Sequence, residues 1–243
     1  MVNFLVLIIL HLLGDFYLQT TKVARCKNAR IDSMCGKCKK CKSTSWINWK
    51  YLMIHSLLYV VPFVVMFFRM KPIYAIMVIL GLFATHILID ACACYFNKKI
   101  KQTIVFIVDQ VLHMGILISI TPFITSVHCA NNYLDVLKII FLCLALVMPC
   151  SVIINKLFID IYPTTEEMGI FDVGSMIGIM ERILTVIFAY FGNFPAIAII
   201  ITVKTWARTN DLKEPEFRNK YLLGTLTSLV LALLIFIVYE LIE

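Results

Sequence analysis

Residues 72–95 read PIYAIMVILGLFATHILIDACACY. A helix needs about 20 mostly apolar residues to cross the hydrocarbon core of a bilayer, and this run meets that requirement with a single carboxylate in it. The stretch reads as a membrane-spanning helix. It also carries His86 and Asp90 four residues apart near its end. Ionisable groups inside a span are costly and point by default to function.

The composition agrees with that reading. Hydrophobic residues make up 61% of the chain and charged ones 15%, where a soluble domain has about 45–50% and about 25%. The mean hydropathy is +0.90. Apolar segments near 1–20, 49–68, 72–95, 103–120, 135–155, 176–191, 194–209 and 221–241 predict an all-α polytopic bundle of seven to eight transmembrane helices. The sixth and seventh are short and meet at GNFP (192–195), a turn signal that predicts a hairpin. No internal repeat or low-complexity tract interrupts the chain, so residues 1–243 read as one polytopic membrane domain, with 21–48 a basic, cysteine-rich loop. The first segment has no basic leader and no A-x-A-like cleavage site, and is read as a retained helix rather than a signal peptide.

Basic residues decide the orientation. Lys22, Arg25, Lys27, Arg30, Lys37, Lys39, Lys40, Lys42 and Lys50 crowd the first connection, and Lys98, Lys99, Lys101, Lys156, Arg208, Lys213, Arg218 and Lys220 fall on the same side of an alternating bundle. Arg69 and Lys71 stand opposite. The positive-inside rule makes the loop 21–48 cytoplasmic and places the N-terminus outside. The formal charge of +7 is therefore expected to meet the bilayer and anionic lipid head groups at the basic loop, not nucleic acid.

That topology gathers the polar residues. His11, Asp15 and Gln19 lie near the inner end of the first helix, His55 near the inner start of the second, His86 and Asp90 near the inner end of the third, and Asp109, Gln110 and His113 near the inner start of the fourth. Four helices of alternating direction thus place them in one layer. Spacings of four put His11/Asp15/Gln19, His86/Asp90 and Asp109/His113 each on one helix face. Neutral imidazole with carboxylate oxygen suits Zn²⁺, Mn²⁺ or Fe²⁺, and bundles build metal sites from facing helices. A divalent metal, zinc or manganese first, is therefore expected on His11, Asp15, His86 and Asp90. His55, Asp109 and His113 would be further ligands or the general base, with Gln19 and Gln110 orienting water. Gly14 beside this face would admit a close neighbouring helix. The same residues also suit a polar network that only locks the bundle, or a path for protons or ions.

A second polar set, Glu181, Arg182 and Lys204, lies at the inner ends of the later helices, and would hold a phosphate or carboxylate of a substrate or snorkel to the interface. Cys26, Cys35, Cys38 and Cys41 carry the C-x2-C spacing of structural zinc in a loop too reducing for disulfides. An iron–sulfur cluster or no metal remains open there, as does docking of a protein partner on that loop.

The motifs HLLGDFYLQT, HSLLY, HILID, VDQVLH, IGIMERIL, VKTWAR and YLLGTLTSLV, in that order, resemble an uncharacterised bacterial family of polytopic membrane proteins, domain of unknown function 3307. The resemblance runs over nearly the whole chain. It implies a multi-pass protein of the bacterial inner membrane in which His11, Asp15, Gln19, His55, His86, Asp90, Asp109, Gln110, His113, Glu181, Arg182 and Lys204 matter, and it implies no reaction. The cysteine loop departs from the family, where this connection is short and basic. A looser similarity, confined to the paired His and Asp of the first spans, is to membrane-bound metal-dependent hydrolases. No P-loop, G-x-S-x-G, H-E-x-x-H or G-x-G-x-x-G occurs. The readings carried forward are a metal-dependent hydrolase of a phosphorylated or lipid-linked substrate, an ion- or proton-coupled transporter or channel, and a non-catalytic metal-stabilised scaffold.

Overall fold

The computed structural model describes residues 2–27, 47–97, 99–124, 131–162 and 172–242. Among these residues the chain is all-α. The helices are α1 (Val2–Leu12), α2 (Thr21–Lys27), α3 (Trp49–Val60), α4 (Pro72–Phe96), α5 (Gln102–Ile120), α6 (Asn131–Ile161), α7 (Val173–Tyr190), α8 (Phe194–Ala207) and α9 (Pro215–Leu241). Each apolar segment expected from the sequence contains a helix. Six are long and apolar enough to cross a membrane: Trp49–Phe68, Pro72–Phe96, Gln102–Phe123, Tyr133–Ile161, Val173–Tyr190 and Pro215–Leu241. The segments expected at 1–20 and 194–209 give shorter apolar helices, Val2–Tyr17 and Phe194–Ala207.

The chain divides into two compact units, Met1–Phe141 with Ile159–Glu166, and Leu142–Phe158 with Glu167–Glu243. In the first, a core of Leu7, Tyr59, Phe63, Met66, Ala75, Leu82, Leu117 and Ile124 joins α1, α3, α4 and α5. Leu7 precedes His11, Leu82 precedes His86, Phe63 and Met66 follow His55, and Leu117 follows His113. The apolar core therefore fills the half of the unit away from α2. Near the other end, α5 starts on a carboxylate cap. Asp160 accepts from the backbone N–H of Gln102 and of Thr103, both at 2.8 Å, which satisfies two donors that a helix start leaves unpaired.

The first helix does not run on to residue 20. After Leu12 it widens into a π turn, Leu13–Tyr17, and Gln19 falls beyond it. The face expected to carry His11, Asp15 and Gln19 together is thereby broken. Gly14 sits in this turn against α3, so close that a Cβ there would lie 2.4 Å from the Tyr59 carbonyl oxygen.

In the second unit α7 ends in a Schellman turn, which satisfies its last carbonyls. Asn193 N–H donates to the Phe188 carbonyl at 2.8 Å and Gly192 N–H to that of Ala189 at 3.0 Å. Gly192 takes φ +66°, where a side chain would strain, and Pro195 opens the next helix. The turn expected at 192–195 thus joins α7 to α8. Leu146, Val186 and Ala232 form the apolar centre of α6, α7 and α9.

Candidate functional site

Four helices of the first unit bring His11, Asp15, His55, His86, Asp90, Asp109, Gln110 and His113 together. His11, His55 and His86 are 0% exposed, Asp90 4% and Asp15 6%. The residue types that lipid tolerates least are therefore shielded inside protein.

At the centre, His86 Nε2 lies 3.0 Å from His55 Nε2. His55 Nε2 lies 3.2 Å from Asp15 Oδ1 and 3.2 Å from Asp90 Oδ2, and His86 Nε2 3.8 Å from Asp90 Oδ2. A tetrahedral ion with bonds of about 2.0–2.1 Å holds its ligand atoms about 3.3 Å apart. The distances of His55 Nε2 to the other three atoms, and of His86 Nε2 to Asp90, are of that kind. Two overlapping groups have ligand atoms that all lie within 4.8 Å of one another, Asp15/His55/His86 and His86/Asp90/His113.

The hydrogen bonds fix which nitrogens carry protons. A carbonyl only accepts, so His113 Nδ1 donates to the Asp109 carbonyl at 2.9 Å. In neutral His113, Nε2 is then bare and accepts from His86 Nδ1 at 2.7 Å. His86 therefore presents a bare Nε2 to the centre. A second nitrogen tied to an oriented donor–acceptor chain is the usual support of a metal-binding imidazole. Tyr59 stacks on the His86 ring with centroids 3.8 Å apart and planes 4° off parallel.

Gln110 fixes the other side. Its amide NH₂ donates to Asp15 Oδ2 at 3.0 Å and Asp109 Oδ2 at 3.1 Å. Carboxylates only accept, so the amide oxygen faces His11 and takes its Nε2–H at 3.2 Å. His11 Nδ1 then accepts from the Tyr59 hydroxyl at 3.3 Å. Both nitrogens of His11, expected as a ligand, are engaged in this way, and His55 and His113 stand in the ligand groups in its place. Gln19 keeps a buried amide oxygen without a hydrogen-bond partner and lies off the broken helix face.

Two participants were not expected from the sequence. Tyr59 follows His55 by four residues, so the helical period exposes it in HSLLY. Lys27 reads as one of nine basic residues in the first connection. In the fold its Nζ donates to Asp90 Oδ2 at 2.9 Å and lies 3.1 Å from His55 Nε2. Its one sequence signal is Val23, four residues earlier, which is buried on α2. Burial alone would lower the Lys27 pKa, but the Asp90 and Asp15 carboxylates outweigh it and hold the ammonium above its ordinary value. With the imidazoles neutral, the carboxylates of Asp15, Asp90 and Asp109 outnumber the Lys27 ammonium, an excess of negative charge that a cation would offset.

Glu181, Arg182 and Lys204 cluster within the second unit. Lys204 Nζ donates to Glu181 Oε2 at 2.6 Å and to Thr225 at 3.2 Å. Arg182, 3% exposed, donates to the Leu146 carbonyl at 2.8 Å, to Ser151 at 2.8 Å, and to Ser228 at 3.3 Å. Leu146 precedes Pro149, which lacks the N–H its helix needs and pushes the turn open. Arg182 thus fastens a proline-weakened turn of α6. The cleft beside these residues has room for about one water molecule, about 20 Å³.

Cys35, Cys38, Cys41 and the side chain of Cys26 lie outside the described residues, and with them the expected zinc loop. Among the described residues Cys92, Cys94, Cys143 and Cys150 form no disulfide.

Comparison with curated proteins found no match, and comparison with solved structures found none. A family model, protein of unknown function DUF3307, matches residues 3–142. The match holds the whole His/Asp cluster and ends before α7, so the later motifs IGIMERIL, VKTWAR and YLLGTLTSLV lie beyond it. The chain belongs to the DUF3307 family of proteins of unknown function.

Proposed function

We propose that the first unit is the metal centre of a membrane hydrolase acting on a phosphorylated or lipid-linked substrate. The observation that carries this reading is the convergence of buried imidazole nitrogens and carboxylate oxygens in two overlapping groups at ligand-to-ligand distances, Asp15/His55/His86 and His86/Asp90/His113, in a site where carboxylates outnumber the one ammonium. A divalent cation there supplies Lewis acidity, polarising a phosphoryl or carbonyl oxygen and lowering the pKa of a water. Zinc suits two nitrogens and two oxygens near tetrahedral spacing, and manganese accepts the same donors.

The chain's own residues then divide the work. Asp15, His55, His86 and Asp90 hold the cation. His113 fixes the His86 tautomer, and Gln110 with His11 holds Asp15 in place. Asp109 keeps one oxygen, Oδ1, without a hydrogen-bond partner and is the carboxylate left to take a proton from water. Lys204, tied to Glu181, is the cation of the second unit suited to an anionic head group. Arg182 is spent on α6.

The basic connection 21–48 faces the cytoplasm of a bacterial inner membrane in this reading and rests on anionic head groups. Its four cysteines bind a structural zinc there, and a protein partner docks on it. The apolar core of Leu7, Phe63, Met66, Leu82 and Leu117 packs the half of the unit away from α2. This favours a one-sided site over a transport path.

Purified protein in detergent, loaded with Zn²⁺ or Mn²⁺, is to be screened for phosphate release from soluble phosphoesters and lipid phosphates. Turnover lost on chelation and in His86→Ala, but kept in the exposed-site variant Lys213→Ala, supports the reading. Full turnover by the metal-stripped protein would sink it.

A further inference from the structure

Lys27 stands where a catalytic bundle has no evident need of it. Its ammonium reaches two of the four atoms assigned above to the metal, Asp90 Oδ2 at 2.9 Å and His55 Nε2 at 3.1 Å. The ammonium donates to the Asp90 oxygen, which is the atom a metal would use. His55 Nε2 faces the bare His86 Nε2 and the Asp15 and Asp90 oxygens, all acceptors, so it carries a proton, and it and the ammonium crowd the same Asp90 oxygen as two donors. A metal would have to displace both.

The element that carries Lys27 is short and packs against α3. Helix α2 is 7 residues long, and isolated helices shorter than about 12–15 residues are marginal in water. Its start is capped by the Thr20 hydroxyl, which accepts from Val23 N–H at 3.3 Å. Val23 is buried, and the Cys94 thiol donates to the Lys27 carbonyl at 3.5 Å. The Lys27–Asp90 ion pair adds an ionic contact to these anchors.

We infer that Lys27 is a tethered cation that competes with the metal for the Asp90 carboxylate beside His55, so that metal loading and docking of α2 exclude one another. Loading the site expels the ammonium, frees α2 and uncovers the centre on the side that the apolar core does not close. An unloaded site is neutralised in part and kept covered by its own lysine. The inference rests on the metal reading proposed above and adds to it the residue that regulates entry.

Two measurements test it together in detergent, both in a background with Cys26, Cys35, Cys38 and Cys41 changed to serine so that only the bundle binds metal: Zn²⁺ binding by calorimetry, and hydrogen exchange over residues 21–27. Lys27→Gln, which removes the charge and leaves a polar side chain one atom shorter, is expected to bind Zn²⁺ at least tenfold more tightly than the protein that keeps Lys27. In the protein that keeps Lys27, Zn²⁺ is expected to speed exchange across α2, and in Lys27→Gln that exchange is fast without metal. Equal or weaker binding by the variant, or α2 exchange slowed by Zn²⁺, overturns the inference while leaving the metal centre standing. No Zn²⁺ bound by either protein overturns the metal reading and this inference with it. The exchange measurement on the protein that keeps Lys27 stands by itself, so a poorly folding Lys27→Gln does not remove the test.

Discussion

Gly14 is the point at which packing and chemistry meet, and alanine there is the most informative single change. The added Cβ would lie 2.4 Å from the Tyr59 carbonyl oxygen and 3.0 Å from its Cα. These are backbone atoms of α3 and cannot swing aside. Ordinary contact begins near 3.4 Å, so the π turn must retreat by about 1 Å. Asp15 is the next residue and moves with it, which opens its 3.2 Å approach to His55 to about 4 Å. Overpacking of this kind costs about 1–3 kcal/mol. In a protein of this size each kcal/mol lowers the melting temperature by about 2–4 °C. Thermal unfolding in detergent should therefore fall by about 2–12 °C, and Zn²⁺ affinity should fall with it. A variant that melts within about 1 °C of wild type with unchanged Zn²⁺ affinity would refute the close approach of α1 and α3 and the placement of Asp15 that depends on it.

Three further outcomes follow from single contacts. His113→Phe keeps the ring but removes the acceptor of His86 Nδ1–H, and should weaken metal binding by about 10–100-fold, measured by Zn²⁺ titration; unchanged affinity would remove His113 from the support of His86. Asp160→Ala strips the start of α5 of its carboxylate and should cost about 0.5–2 kcal/mol in chemical unfolding, with metal content retained. Arg182→Lys cannot reproduce the fork that reaches Leu146, Ser151 and Ser228 and should destabilise by about 1–3 kcal/mol through unpaired buried groups; a variant as stable as wild type would show that α6 does not depend on it.

The membrane class and the polar layer were legible because both rest on periodicity. Apolar runs of span length identify helices, and alternating direction then forces His11, His55, His86 and His113 to one level. The details of the site were not legible, because contacts between helices decide them. The π turn at Leu13–Tyr17 belongs to the close approach of Gly14 to Tyr59, and it carries Gln19 off a face that a regular helix would have kept. The place of His11 depends on how the Gln110 amide points, which two carboxylates on different helices determine. His55 has no acidic neighbour at helical spacing, so its contacts with Asp15 and Asp90 appear only in three dimensions. Lys27 was hidden among lysines that look alike in sequence. Only the docking of α2 through Val23 separates it from them. Arg182 reads as a ligand clamp until Pro149 on α6 is brought beside it.

Metal content bears most directly on the central claim. Mass spectrometry of detergent-purified protein should be made with Cys26, Cys35, Cys38 and Cys41 changed to serine, so that only the bundle contributes. One divalent metal per chain, lost in His86→Ala/Asp90→Ala with the fold intact, is the expected result. A well-folded protein that binds no divalent metal, at any Zn²⁺ or Mn²⁺ concentration tried, would contradict the metal centre and leave the His/Asp cluster as a network that holds four helices together.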